Sequence, residues 1–115
     1  MHRDIQTANW IAVCDLNDIV ANTGVCALIN DVQVAVFHVN DGEARVFAIE
    51  NYDPNSNAAV LSRGLVGSLG ERIVVASPIY KQHFDLQTGE CLEDPSCSVN
   101  TYPARIDAGK VWVGA

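Results

Sequence analysis

The sequence predicts an all-β domain, a sandwich or small barrel of about eight to ten short strands. Three observations carry this. Short apolar runs recur along the chain with hardly any helical periodicity. Turn signals separate them at regular intervals, Asn30-Asp31 and Asp41-Gly42 among them. Gln33–Val39 is largely apolar on both alternating faces, with Gln33, Ala35, Phe37 and Val39 on one and Val34, Val36 and His38 on the other. That is the pattern of a central strand covered on both sides.

Taken in order, Trp10–Cys14 reads as the first strand, and Asp15-Leu16-Asn17-Asp18-Ile19 as a turn with one short helical turn. Val25–Ile29 is the next strand. Asn30-Asp31 then makes a two-residue hairpin turn, because both residues tolerate positive φ, and Val32–Val39 returns. Asp41-Gly42 leads to Ala44–Glu50, giving a meander. Leu61–Gly64 turns, Gly67 and Gly70 punctuate, and Arg72–Ala76 enters a second loop. Pro78 stops the run Val74-Val75-Ala76, since proline donates no N–H and holds its predecessor extended. His83-Phe84-Asp85-Leu86 alternates again, and Gln87-Thr88-Gly89 turns. Tyr102–Ile106 and Val111–Val113 close the chain as a hairpin across Asp107–Lys110, with Trp112 buried. No internal repeat or linker is visible, so residues 1–115 are expected to form one domain.

Composition narrows the function. Seven basic residues stand against 14 acidic ones, giving −7 with histidine neutral, and no Lys/Arg cluster interrupts the balance. Nucleic acid is therefore not an expected partner. No apolar run approaches the roughly 20 residues that cross a bilayer, and the start Met1-His2-Arg3-Asp4 carries an acid where an export signal is basic. The expectation is a cytoplasmic protein without a membrane segment, its cysteines at 14, 26, 91 and 97 reduced. Cys14 and Cys26 lie in apolar runs and read as small buried hydrophobes. The five-residue gap between Cys91 and Cys97 is not a zinc knuckle. Gly64, Gly67 and Gly70 precede no P-loop lysine and no long helix, so they read as turn glycines. His38 reads as a structural histidine, with no nucleophile to partner it.

Two stretches carry a more specific signal. Asp53-Pro54-Asn55 is followed by Leu61-Ser62-Arg63-Gly64, and Ser77-Pro78-Ile79-Tyr80 by His83-Phe84-Asp85-Leu86 and Thr88-Gly89. They resemble the two cluster-binding loops of Rieske iron–sulfur domains, which read Cys-Pro-His with Leu-Ser-x-Gly, and Cys-Pro-x-His with Gly-x-x-Phe-Asp-x-x-Thr-Gly. The resemblance implies a β-sandwich base carrying a two-loop subdomain, with the loops at about 51–64 and 76–89. The ligand positions, however, hold Asp53, Asn55, Ser77 and Tyr80. A Rieske centre needs two thiolates and two imidazoles. Serine stays protonated near neutral pH, asparagine offers no imidazole nitrogen, and the oxygen of aspartate suits magnesium or calcium better than iron–sulfide. No [2Fe–2S] cluster and no metal site is expected.

A Rieske-like domain with all four ligands replaced is similar to the small subunit of cytoplasmic NAD(P)H-dependent nitrite reductase. Trp10–Cys14, Val32–Phe37, Val46–Pro54, Ser77–Leu86 and Tyr102–Arg105 extend that match over most of the chain. The resemblance implies a non-catalytic subunit, with no catalytic or cofactor-binding residue of its own. It would dock on a large subunit that holds FAD, a [4Fe–4S] cluster and sirohaem and reduces nitrite to ammonium in nitrate assimilation. Tyr52, Asn55, Tyr80, Lys81 and His83 are the candidate interface, aromatic types being favoured there. The alternative for the same residues is structural, with Tyr80 and Asp53 filling the vacated site. Two other functions fit the scaffold: a Rieske-type ferredoxin or oxygenase electron-transfer component with atypical ligands, and a binding module unrelated to nitrite.

Overall fold

A computed structural model describes residues 9–114. Its strands are β1 (Trp10–Asp15), β2 (Thr23–Ile29), β3 (Val32–Asn40), β4 (Ala44–Glu50), β5 (Tyr52–Asp53) and β6 (Ala58–Ala59). They continue with β7 (Leu65–Leu69), β8 (Arg72–Ala76), β9 (His83–Asp85), β10 (Thr101–Tyr102), β11 (Ala104–Asp107) and β12 (Lys110–Gly114). Single 3₁₀ turns at Leu16–Asp18, Leu61–Arg63 and Pro95–Cys97 are the helical elements among the described residues. The strands form antiparallel sheets in the orders β10-β4-β3-β2, β1-β12-β11, β7-β8-β9 and β5-β6.

The four-stranded sheet is the wall from which everything hangs. β2, β3 and β4 form the expected meander, and Asn30 and Asp31 adopt φ of 50° and 65° in the first hairpin turn. The two faces of β3 serve two separate cores. Val34 and Val36 pack with Val46, Ala48, Val111 and Val113 against the sheet β1-β12-β11. Ala35, Phe37 and Val39 pack with Leu61, Val75, Phe84, Leu86, Cys91 and Val99, beneath the two loops. Alternation along one strand therefore fixes both layers of the sandwich. His38 is the buried polar member of β3, and its Nδ1 hydrogen-bonds the Ile19 carbonyl at 2.8 Å, tying the turn after β1 to the wall.

Some expectations need correction. Tyr102 does not join the last hairpin; it pairs with Ala48 of β4, and Pro103 marks the corner where the chain passes to the other sheet. Trp112 is only half-buried, because Val111 and Val113 take the inward face of β12 and Trp112 faces outward. Arg105, its cross-strand neighbour, stacks on Trp10 at 4.3 Å. Cys14 is half-buried and Cys26 exposed. Both sit on edge strands, where an apolar neighbourhood in sequence does not guarantee cover. Gly67 does not interrupt the chain but lies inside β7, an edge strand that tolerates glycine.

Candidate functional site

The first loop leaves β4 at Asn51 and returns at Gly64. Asn51 is 2% exposed and organises it. Its Nδ2 donates to Gln33 Oε1 (3.1 Å) and the Ala59 carbonyl (3.1 Å), and its Oδ1 accepts from the Ser62 N–H (2.7 Å). One side chain thus joins β3 to both limbs of the loop. Asp53 Oδ1 accepts from the Asn55 N–H at 2.9 Å, closing an Asx turn over Pro54. Leu61 sends its side chain into the core, and at Gly64 a Cβ would collide with the Ala76 carbonyl, so the loop passes hard against β8.

The second loop begins where β8 ends. The Ser77 N–H donates to the Gln82 carbonyl (2.8 Å), and the Ser77 carbonyl accepts from the Lys81 N–H (3.0 Å), with Lys81 at φ 59°. Residues 78–80 are thereby pushed out as a tip. The motif Phe84-Asp85-x-x-Thr88-Gly89 also has a local explanation. Phe84 is core, Asp85 Oδ1 accepts from the N–H groups of Gln87 (2.8 Å) and Thr88 (3.0 Å), and Gly89 holds φ 80° against the Val99 carbonyl. This motif builds a turn; it does not need a cluster to exist.

Among the described residues, one side-chain hydrogen bond joins the two loops. Ser77 Oγ donates to Asp53 Oδ2 at 2.5 Å, with Asp53 0% and Ser77 1% exposed. These are the two positions read as thiolate replacements, so a direct hydrogen bond stands where two sulfurs would share an iron. The remaining two positions diverge: Asn55 is half-buried, whereas Tyr80 is 63% exposed and fills nothing. The structural alternative thus describes Asp53 and Ser77 but not Tyr80. Two oxygens joined by a hydrogen bond, an amide and an exposed phenol do not form a [2Fe–2S] ligand set. Among the described residues no group of three or more His, Cys, Asp or Glu side chains is gathered for a metal.

Of the residues read as an interface, Tyr52, Tyr80 and Lys81 are exposed, and Asn55 and His83 are half-buried. Tyr52 Oη donates to Asn57 Oδ1 (2.6 Å), which steadies the ring at the loop surface. His83 is turned away into a side arrangement with Glu93: its N–H donates to Oε1 (2.7 Å) and its Nδ1 lies 2.6 Å from Oε2. Burial pushes the Glu93 carboxyl up, and the hydrogen bonds from His83 outweigh it, leaving the group below the ordinary carboxylate value. The sequence reading omitted Ile79, which is 46% exposed at the tip beside Tyr80. An isoleucine directly after a loop proline, with no alternating partner, was the available signal.

Residues 9–114 match the Rieske-like [2Fe-2S] domain family. The chain is 45% identical over 104 residues to the NADH nitrite reductase small subunit of Escherichia coli (strain K12), covering 90% of this chain and 95% of that protein. It is 40% identical over 105 residues to the nitrite reductase [NAD(P)H] large subunit of Klebsiella oxytoca, where the match covers 91% of this chain but 11% of that protein. The NMR structure of the Escherichia coli protein NirD superposes with a TM-score of 0.86 at 43% identity, over 95% of this chain and 98% of the other. The chain accordingly belongs to the Rieske-like [2Fe-2S] domain family and, within it, to the NADH nitrite reductase small subunits.

Proposed function

We propose that this chain is the non-catalytic small subunit of a cytoplasmic NAD(P)H-dependent nitrite reductase serving nitrate assimilation. In this role it docks on the large subunit and stabilises it, and it handles neither electrons nor nitrite. The observation that carries the reading is the Klebsiella oxytoca relative, in which a segment similar to this whole domain is part of a large-subunit chain. A domain that occurs covalently joined in one protein and as a separate chain in another works beside the same partner in both. The loop chemistry supports the division of labour, because Asp53, Asn55, Ser77 and Tyr80 supply no cluster ligands. FAD, [4Fe–4S] and sirohaem then belong to the large subunit, as does the reduction of nitrite to ammonium.

The docking surface in this reading is the loop end, with Tyr52, Asn55, Ile79, Tyr80, Lys81 and the flank of His83. Tyr52, Ile79 and Tyr80 are exposed apolar or aromatic groups beside one cation on a domain of net charge −7, a composition suited to an interface core. No nucleic acid or membrane partner is part of this reading. The test is a pull-down with the tagged chain from nitrite-grown cells, followed by NADH- and NADPH-dependent nitrite reduction with and without it. Recovery of a sirohaem-containing large subunit supports the assignment; recovery of an unrelated reductase defeats it. Tyr80→Ala combined with Lys81→Glu should weaken capture at least 10-fold. Unchanged capture by a folded double variant would remove the loop end as the docking surface.

A further inference from the structure

β7 is a free edge of the sheet β7-β8-β9, and its residues Leu65, Val66, Gly67, Ser68 and Leu69 include no charge and no proline. Those are the devices by which exposed edges avoid pairing. Leu65 is 79% and Leu69 45% exposed. Gly70-Glu71 is a two-residue turn closed by the Leu69–Arg72 pair, so antiparallel alternation turns the backbone groups of Leu65, Gly67 and Leu69 toward β8. The N–H and C=O groups of Val66 and Ser68 point outward.

The sequence around this edge is nearly symmetric. In Arg63-Gly64-Leu65-Val66-Gly67-Ser68-Leu69-Gly70-Glu71, leucine matches leucine and glycine matches glycine about Gly67, Val66 stands opposite Ser68, and the ends carry opposite charges. We infer that two copies of this chain associate through β7, antiparallel about a two-fold axis at Gly67, joining the two three-stranded sheets into one. Val66 of each copy then exchanges both backbone hydrogen bonds with Ser68 of the other, using the outward-facing groups. Leu65 lies against Leu69 of the second copy, and beyond the paired strands Arg63, in the 3₁₀ turn before β7 of one copy, comes to the same end as Glu71, in the hairpin turn of the other.

Two independent features select a second copy over an arbitrary strand. Arg63 and Glu71 are both exposed, and among the described residues neither forms an ion pair within the chain. Against a net charge of −7 per copy, that local complementarity is what lets two acidic molecules meet. Gly67 is the other feature. A Cβ there would touch nothing within 4 Å, and its φ is not in the left-handed region, so the fold of one chain makes no demand for glycine. At the two-fold axis the facing Cα atoms of a pair without mutual hydrogen bonds stand about 4.5 Å apart, so the two glycines let the strands meet there with no side chain between them. One five-residue strand buries less than the roughly 1,000 Å² of a tight interface, so the association is weak, with Kd of about 10 μM to 1 mM.

Sedimentation velocity of the purified chain from about 10 μM to 1 mM, in about 0.15 M salt to screen the net repulsion, tests this directly. The expected result is a monomer–dimer equilibrium. Arg63→Glu alone and Glu71→Arg alone each weaken it at least 10-fold. An equimolar mixture of the two single variants restores it, because the carboxylate at position 63 of one then faces the guanidinium at position 71 of the other. Gly67→Lys stays monomeric with an unchanged melting temperature. A wild-type chain that remains monomeric throughout, single variants that associate like the wild type, or a mixture that recovers nothing would each overturn the inference.

Discussion

Replacing Ser77 by alanine removes one hydroxyl and tests whether the bond to Asp53 holds the two loops together. Asp53 is 0% exposed, so the Oδ2 that loses its donor finds no water in exchange. Leaving a buried acceptor without its donor costs about 1–3 kcal/mol, which puts the loss at about 2 kcal/mol. For a domain of this length that lowers the melting temperature by about 8 °C. Asp53→Ala costs more, about 3 kcal/mol, because it strands the Ser77 hydroxyl and also frees the Asn55 N–H from its Asx turn. The double variant should cost about what Asp53→Ala costs alone, near 3 rather than 5 kcal/mol, a coupling of about 2 kcal/mol. Urea unfolding measures all four species; midpoints should shift at constant slope. Losses that add to within about 0.5 kcal/mol would refute the idea that this contact is the link between the loops.

Three further outcomes follow from the same geometry. Asn51→Ala should cost about 3 kcal/mol and expose the loop at 51–64 to proteolysis, since it strands the Ser62 N–H and the Ala59 carbonyl; proteolysis that tracks global unfolding alone would contradict this. The lowered Glu93 group contributes stability that is complete above its ordinary pKa and lost as pH falls through the lowered one. Melting curves between about pH 6 and 3 should thus be flatter for Glu93→Gln, and parallel curves would dismiss the His83 contact as a source of acid lability. Joint replacement Asp53→Cys, Asn55→His, Ser77→Cys and Tyr80→His should let the scaffold take up iron and inorganic sulfide on anaerobic reconstitution. A folded variant that binds no sulfide would show that the loops no longer have the spacing of a cluster site.

The meander was legible because its signals are local: two-residue turns and a strand apolar on both faces leave little choice. The loops were legible through their motifs, and the structure gives those motif residues a role that needs no iron. Leu61, Phe84, Asp85 and Gly89 supply core and turn geometry that the fold needs in any case. What escaped was which strand faces are covered. Periodicity gives Cys26 and Trp112 a face but cannot say whether another layer covers it: Cys26 lies on the edge strand β2, and Trp112 takes the outward face of the central strand β12. Asn51 escaped for another reason. Its partners Gln33 and Ser62 lie 18 and 11 residues away, so nothing adjacent in the chain announces the hub.

A cluster would bind the two loops through four metal–ligand bonds; here the Ser77–Asp53 hydrogen bond joins them, while Asn51 ties the first loop to β3. The consequence is a division within the second loop. Its base at Ser77 is buried and bonded to the first loop, while Pro78, Ile79 and Tyr80 stand exposed above it. An electron carrier needs a redox centre at that end, whereas a docking subunit needs apolar side chains presented from a fixed base. The Asp53–Ser77 contact supplies such a base without thiolates. Since that contact is worth about 2 kcal/mol and not a covalent linkage, the tip can also separate from the first loop at modest cost. If the loop end docks on the large subunit as proposed, hydrogen exchange at Ile79, Tyr80 and Lys81 should slow on binding while Ser77 changes little. Protection confined to the opposite sheet, β1-β12-β11, would move the docking surface to the other face of the sandwich.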